Sequence, residues 1–145
     1  MKILLLGSGG REHALAWKMA QSSQLEKLYV APGNAGTAEI AENIALDVND
    51  FKAIGDFTIQ HDVDLLVVGP EQPLVDGIHD YFSSQPRLAN ITVIGPTKEG
   101  AQIEGSKDFA KSFMKRHRIP TAKSGSFNKH QLQEALAFLE NQEAP

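Results

Sequence analysis

The residues best suited to chemistry begin at a glycine-rich turn, Gly7-Ser8-Gly9-Gly10, followed by Arg11, Glu12 and His13. Glycines there allow a tight turn and leave room for a ligand beside backbone N–H groups. A phosphate is the natural guest, with Arg11 available to neutralise it, although a purely structural turn has the same composition. Glu71 follows a second turn, Gly69-Pro70. Its carboxylate and that of Glu12 could accept hydrogen bonds from sugar hydroxyls or an amine while Gly9 and Gly10 hold the phosphate. Each acid could equally be a helix-start residue favoured by the helix dipole.

The dinucleotide fingerprint GxGxxG, started at Gly7, requires a glycine where this chain has Glu12. The second apolar run also ends in Ala31-Pro32, where a ribose-binding acid is expected of a nicotinamide site. A nicotinamide-dependent module is therefore a disfavoured alternative, and a non-catalytic nucleotide-binding module of the same fold stands as a second one. No GxxxxGK[ST] occurs, which removes the P-loop class. His13 lacks a nucleophile or carboxylate placed to complete a relay, so packing or a helix-start hydrogen bond is its expected role. His61, His79, His117 and His130 have no ligand spacing to one another, and no metal site is expected. The basic run Lys115-Arg116-His117-Arg118 is accounted for by a helix C-terminus.

These turns need elements to position them. Ile3–Leu6, Leu28–Ala31, Leu65–Val68 and Ile91–Ile94 read as buried strands, with a weaker one at Ile44–Leu46. The pattern predicts helices from about Arg11 to Ser22, Asp50 to Gln60 and Leu74 to Phe82. Such alternation defines an α/β fold, a Rossmann-like parallel sheet with helices on both faces. In that architecture the loops leaving the carboxyl ends of the strands converge on a ligand crevice. The strong strands all exit into glycine- or proline-rich turns. After Gly95 the pattern changes to helices capped by Thr97 and Ser106, a possible strand at Ala122–Phe127, and a helix opened by Asn128 and Gln131. Its apolar face carries Leu132, Leu136 and Leu139.

With 145 residues, 22% of them charged, a net charge of −4 and no cysteine, the chain needs no disulfide framework and offers no broad attraction for nucleic acid. No apolar stretch approaches the roughly 20 residues of a membrane span, and the N-terminus does not read as a secretory signal. A cytoplasmic setting is expected.

Taken together, GSGGREHA (Gly7–Ala14), APGNAGT (Ala31–Thr37), VVGPEQPLVDG (Val67–Gly77) and VIGPTKEGAQIEGSKDFAKSFMKRHRIPTA (Val93–Ala122) resemble the phosphoribosylamine–glycine ligase family. That resemblance implies an ATP-grasp ligase whose N-terminal part is the pre-ATP-grasp α/β domain. Family members join glycine to 5-phosphoribosylamine in de novo purine biosynthesis, using ATP with Mg²⁺ or Mn²⁺. Glycine's carboxylate is activated as an acyl phosphate and then attacked by the amine.

Carried onto this chain, the resemblance implies that Gly9 and Gly10 belong to the phosphoribosyl-binding loop, adjoining Glu12. Asn34 and Gly36 line the same crevice. Glu71, with Pro73 and Leu74, belongs to the segment that holds the ribose hydroxyls. Lys107, which by itself reads as a solvent-exposed lysine after a cap, is similar to a nucleotide-contacting lysine. Residues 1–105 are then the phosphoribosylamine-binding domain, and 106–145 a linker helix with an incomplete start of the ATP-grasp domain. The family's glycine-rich nucleotide loop and metal carboxylates are absent, so the chain is expected to be an N-terminal fragment, with no catalytic residue of its own and no activity alone. Its implied partner is the remaining ATP-grasp region.

Overall fold

The apolar run at the N-terminus becomes β1 (Lys2–Gly7), buried along nearly its whole length. A computed structural model describes residues 1–142. The chain divides into two units, Met1–Gly105 and a second beginning at Ser106.

In the first unit, β1 is joined by β2 (Lys27–Pro32), β3 (Glu42–Asn43), β4 (Leu65–Val68) and β5 (Thr92–Ile94). They form a five-stranded sheet in the order β3-β2-β1-β4-β5, with every neighbouring pair parallel. The order runs outward in opposite directions from β1 and β4, which puts the topological switch point between their carboxyl ends. Alternation along the strands divides the core. Leu4, Leu6, Tyr29, Ala31, Leu66 and Val68 face one layer, and Ile3, Leu5, Leu28, Val30 and Val67 the other. Leu4, Leu5 and Leu6 are completely buried, each contributing roughly 2 kcal/mol relative to an exposed side chain.

The second layer is covered by α1 (Gly10–Met19) through Ala16. The first is covered by α2 (Phe51–Gln60) through Ile54, by α4 (Ile78–Ser84) through Ile78 and Phe82, and by α5 (Lys98–Gly105) through Ala101. Asp50 caps α2, its carboxylate accepting the Ala53 N–H at 2.9 Å. Asp50→Ala is expected to cost about 1 kcal/mol, read as a lower urea midpoint at unchanged slope.

The helix expected from Leu74 to Phe82 is two helices, α3 (Glu71–Asp76) and α4. Gly77 takes φ +102° and its N–H closes α3 on the carbonyls of Pro73 and Leu74, a left-handed stop that glycine adopts without penalty. The four-residue spacing survives the break, since Leu74, Ile78 and Phe82 are all buried. The weak strand also moves. Pairing with β2 occurs at Glu42–Asn43, and Ile44 contributes only an N–H to the Val30 carbonyl.

In the second unit, α6 (Lys107–Arg116) starts at Ser106, whose hydroxyl accepts the Phe109 N–H at 3.2 Å. The possible strand at Ala122–Phe127 is not formed. A strand needs a neighbouring ladder for its N–H groups, and all strands among the described residues lie in the first unit. Side chains hold the segment instead: Lys111 Nζ donates to Thr121 Oγ1 at 2.7 Å and to the Ala122 carbonyl at 2.8 Å. The last helix, α7 (Leu132–Glu140), follows a turn in which the Gln131 side chain accepts the Asn128 N–H at 3.0 Å. Leu132, Leu136 and Leu139 are exposed.

Candidate functional site

The loop after β1 is shaped from beneath by Glu12. Gly7 turns the chain with φ +125°, α1 begins at Gly10, and the Glu12 side chain reaches back under the turn. One carboxylate oxygen accepts the Gly9 N–H at 2.8 Å and the other accepts Arg11 Nε at 2.9 Å. Glu12 is only 5% exposed. Burial pushes its carboxyl up, but the Arg11 hydrogen bond and the Gly9 N–H outweigh that and hold it below its ordinary value.

Glu12 also occupies the room that the third glycine of a dinucleotide fingerprint leaves open. Both Gly7 and Gly69 lie against its side chain, with no space for a Cβ. The Gly9 N–H, which a pyrophosphate would otherwise take, is spent on Glu12. The departure at position 12 thus has a physical consequence that disfavours a nicotinamide dinucleotide.

Arg11 links this loop to the next strand exit. Its Nη2 donates to the Gly69 carbonyl and stands 3.9 Å from a Glu71 carboxylate oxygen. Arg11 and Glu71 are both more than half exposed. The loop after β2 closes the third side. Asn34 Nδ2 donates to the Ser8 carbonyl at 2.9 Å, and its own Oδ1 accepts the Thr37 N–H at 3.0 Å. Asn43 Nδ2 donates to the Asn34 carbonyl at 2.8 Å, and the Thr37 hydroxyl lies 2.8 Å from Asn43 Oδ1. Thr37 is completely buried, so this network fixes the turn rather than contacting solvent. Gly36 admits the His13 imidazole, since a Cβ there would fall 2.6 Å from Nδ1.

The structure therefore gathers Gly9, Gly10, Asn34 and Glu71 at the carboxyl ends of β1, β2 and β4, with Glu12 buried below them and Gly36 behind His13. Gly9 and Gly10 are exposed, and apart from its chain neighbours and the backbone of α1 no atom lies within 4 Å of where a Gly10 Cβ would stand. Pro73 and Leu74 turn their side chains inward. Both side chains are buried, and Leu74 packs under Gly95. Leu74 also lines, with Glu71, Pro96, Ala101, Ile103 and Glu104, a cleft of about 280 Å³. Lys107 belongs to the second unit, exposed at the first position of α6.

Thr37, Asn43 and the carbonyls of Ser8 and Gly69 are parts of the site that residue types did not single out. Backbone acceptors carry no signal in a sequence, and Asn43 lies in a segment without glycine or proline.

A parallel sheet with its polar loops gathered at the switch point between β1 and β4 belongs to the α/β class of ligand-binding domains. The family is specific. A family model described as "Phosphoribosylglycinamide synthetase, N domain" matches residues 1–104, and the chain belongs to that family. It is 52% identical to a phosphoribosylamine–glycine ligase of Pseudomonas putida, over an alignment that takes in all of this chain and 32% of that protein. The chain thus spans about a third of the length of the curated relatives it matches. A crystal structure of phosphoribosylamine–glycine ligase from Thermotoga maritima superposes with a TM-score of 0.64 at 31% identity, covering 95% of this chain and 30% of that one. An N5-carboxyaminoimidazole ribonucleotide synthetase from Thermus thermophilus shares the fold alone, with a TM-score of 0.63 at 18% identity over 94% of this chain and 36% of that one.

Proposed function

We propose that the chain is the phosphoribosylamine-binding part of a cytoplasmic ligase that joins glycine to 5-phosphoribosylamine in de novo purine biosynthesis, with ATP converted to ADP and phosphate. The observation that carries this reading is the gathering of Gly9, Gly10, Asn34 and Glu71 at one switch-point crevice, in a chain of that family. The exposed turn at Gly9-Gly10 receives the 5-phosphate at the start of α1 through N–H groups other than that of Gly9, which Glu12 holds, and Glu71 accepts hydrogen bonds from the ribose hydroxyls. Holding both ends of the sugar aims its amine at the carboxyl carbon of an activated glycine, which is catalysis by alignment.

ATP and Mg²⁺ or Mn²⁺ supply the carboxylate activation in this reading. Among the described residues no group of three or more His, Cys, Asp or Glu could hold a metal ion, and Lys107 is the one residue assigned here to the nucleotide. Metal and most ATP contacts fall to the remaining length of the family's proteins. No helix among the described residues is long and apolar enough to cross a membrane, and no nucleic-acid partner is proposed.

The test is a titration of the isotope-labelled chain with glycinamide ribonucleotide, the stable product, followed by backbone amide shifts. Saturable shifts at Gly9, Gly10, Asn34 and Glu71 are expected, with little response to NADH and weak response to ATP. The same polypeptide is expected to form no product from glycine, phosphoribosylamine and ATP. Shifts at these loops with NADH in place of the ribonucleotide would reassign the site to a nicotinamide cofactor.

A further inference from the structure

Glu71 stands between two unlike surroundings. On one side the Arg11 guanidinium lies 3.9 Å from its carboxylate. On the other is the cleft it lines with Leu74, Pro96, Ile103 and Glu104, an apolar wall with a second carboxylate. The Glu71 carboxylate, more than half exposed, thus faces a cation on one side and a like charge on the other. The attraction would be slight if Arg11 were free to wander, since exposed ion pairs lose much of their energy to side-chain entropy. Arg11 is not free. Nε is held by the buried Glu12 carboxylate and Nη2 by the Gly69 carbonyl, two residues before Glu71. The guanidinium fork is thus locked by the very segment whose acid it faces.

We propose that Arg11 is a positioning residue that turns the Glu71 carboxylate toward the crevice and so sets its selectivity for a sugar with free vicinal hydroxyls. The inference rests on the phosphoribosyl reading of the same site. Lysine cannot replace the arginine: a single ammonium has no planar fork with which to bridge Glu12, Gly69 and Glu71.

The experiment compares ribose 5-phosphate with 2-deoxyribose 5-phosphate by calorimetric titration of the full chain. The wild type is expected to favour the ribose sugar by about tenfold, as the loss of a hydrogen bond to a charged group predicts. In Arg11→Ala the preference is expected to fall to about twofold or less, over and above any loss that both sugars share through the Glu12-supported turn. Arg11→Lys keeps a cation beside the buried Glu12 carboxylate, so the fold is maintained, and it is expected to lose the preference likewise. In a Glu71→Ala background, Arg11→Ala should add nothing. An equal loss for both sugars on Arg11→Ala would make Arg11 a phosphate contact and overturn the proposal. Full preference in Arg11→Lys, or an undiminished effect in the Glu71→Ala background, would overturn it too. A wild type that binds neither sugar phosphate overturns the phosphoribosyl reading itself.

Discussion

Replacing Glu12 by alanine is expected to lower the unfolding free energy by about 2–4 kcal/mol, read from urea denaturation near neutral pH. Two losses add. The Gly9 N–H and Arg11 Nε forfeit their acceptor, bonds of 2.8 and 2.9 Å to a carboxylate. The side chain that fills the space against Gly7 and Gly69 also disappears, leaving a void beneath the turn. Glu12→Gln keeps the volume and one acceptor oxygen but turns an amide N–H toward one of the two donors, so an intermediate loss is expected. The effect depends on pH in a definite direction. The Glu12 carboxyl is held below its ordinary value of 4.5, so the folded state binds this proton less readily than the unfolded chain. Its stabilising contribution is complete above that ordinary value and is lost as pH falls through the lower folded value. The gap between wild type and Glu12→Ala should therefore narrow below about pH 4. A difference under about 1 kcal/mol at neutral pH would show that Glu12 is not the support of the loop.

Glu12 also marks how far the sequence is legible. Its departure from GxGxxG is plain in the letters, and so is its place at a helix start. Which way the carboxylate turns is not, because that depends on the close approach of Gly69 from a strand more than fifty residues away. The sheet was readable because each strong apolar run ends in glycine or proline, and Leu65–Val68 is the observed span of β4. Ile44–Leu46 is apolar enough for a strand, yet the ladder forms at Glu42–Asn43, where the Asn34–Thr37–Asn43 network ties the chain down. Ala122–Phe127 contains Gly125 and a single strong strand former, Phe127, and it has no neighbouring strand among the described residues. Pro73 and Leu74 sit beside Glu71 in sequence, and a motif reading groups them with it. In a helix successive side chains point in different directions, so Glu71 faces solvent and the other two enter the core.

The glycines divide by the same logic, and substituting them separates fold from ligand. Gly69→Ala is expected to cost about 3 kcal/mol or more. The added Cβ would lie 2.6 Å from the Leu6 carbonyl oxygen and 2.6 Å from Glu12 Oε1. Leu6 belongs to the central strand, and its carbonyl already accepts the Gly69 N–H at 3.1 Å, so relief requires β1 and β4 to part. Gly10→Ala is the opposite case. Apart from its chain neighbours and the backbone of α1, no atom lies within 4 Å of the new Cβ, and the residue is the first of α1, where alanine is the better helix former by up to about 1 kcal/mol. Its stability should equal or slightly exceed that of the wild type. Nothing in the fold requires a glycine there, whereas a phosphate resting on the exposed turn does. Gly10→Ala is accordingly expected to weaken glycinamide ribonucleotide binding by about tenfold with an unchanged urea midpoint, while Gly69→Ala lowers the midpoint. Undiminished ribonucleotide binding by Gly10→Ala would move the 5-phosphate away from this turn, leaving Glu71 and Asn34 to define the crevice.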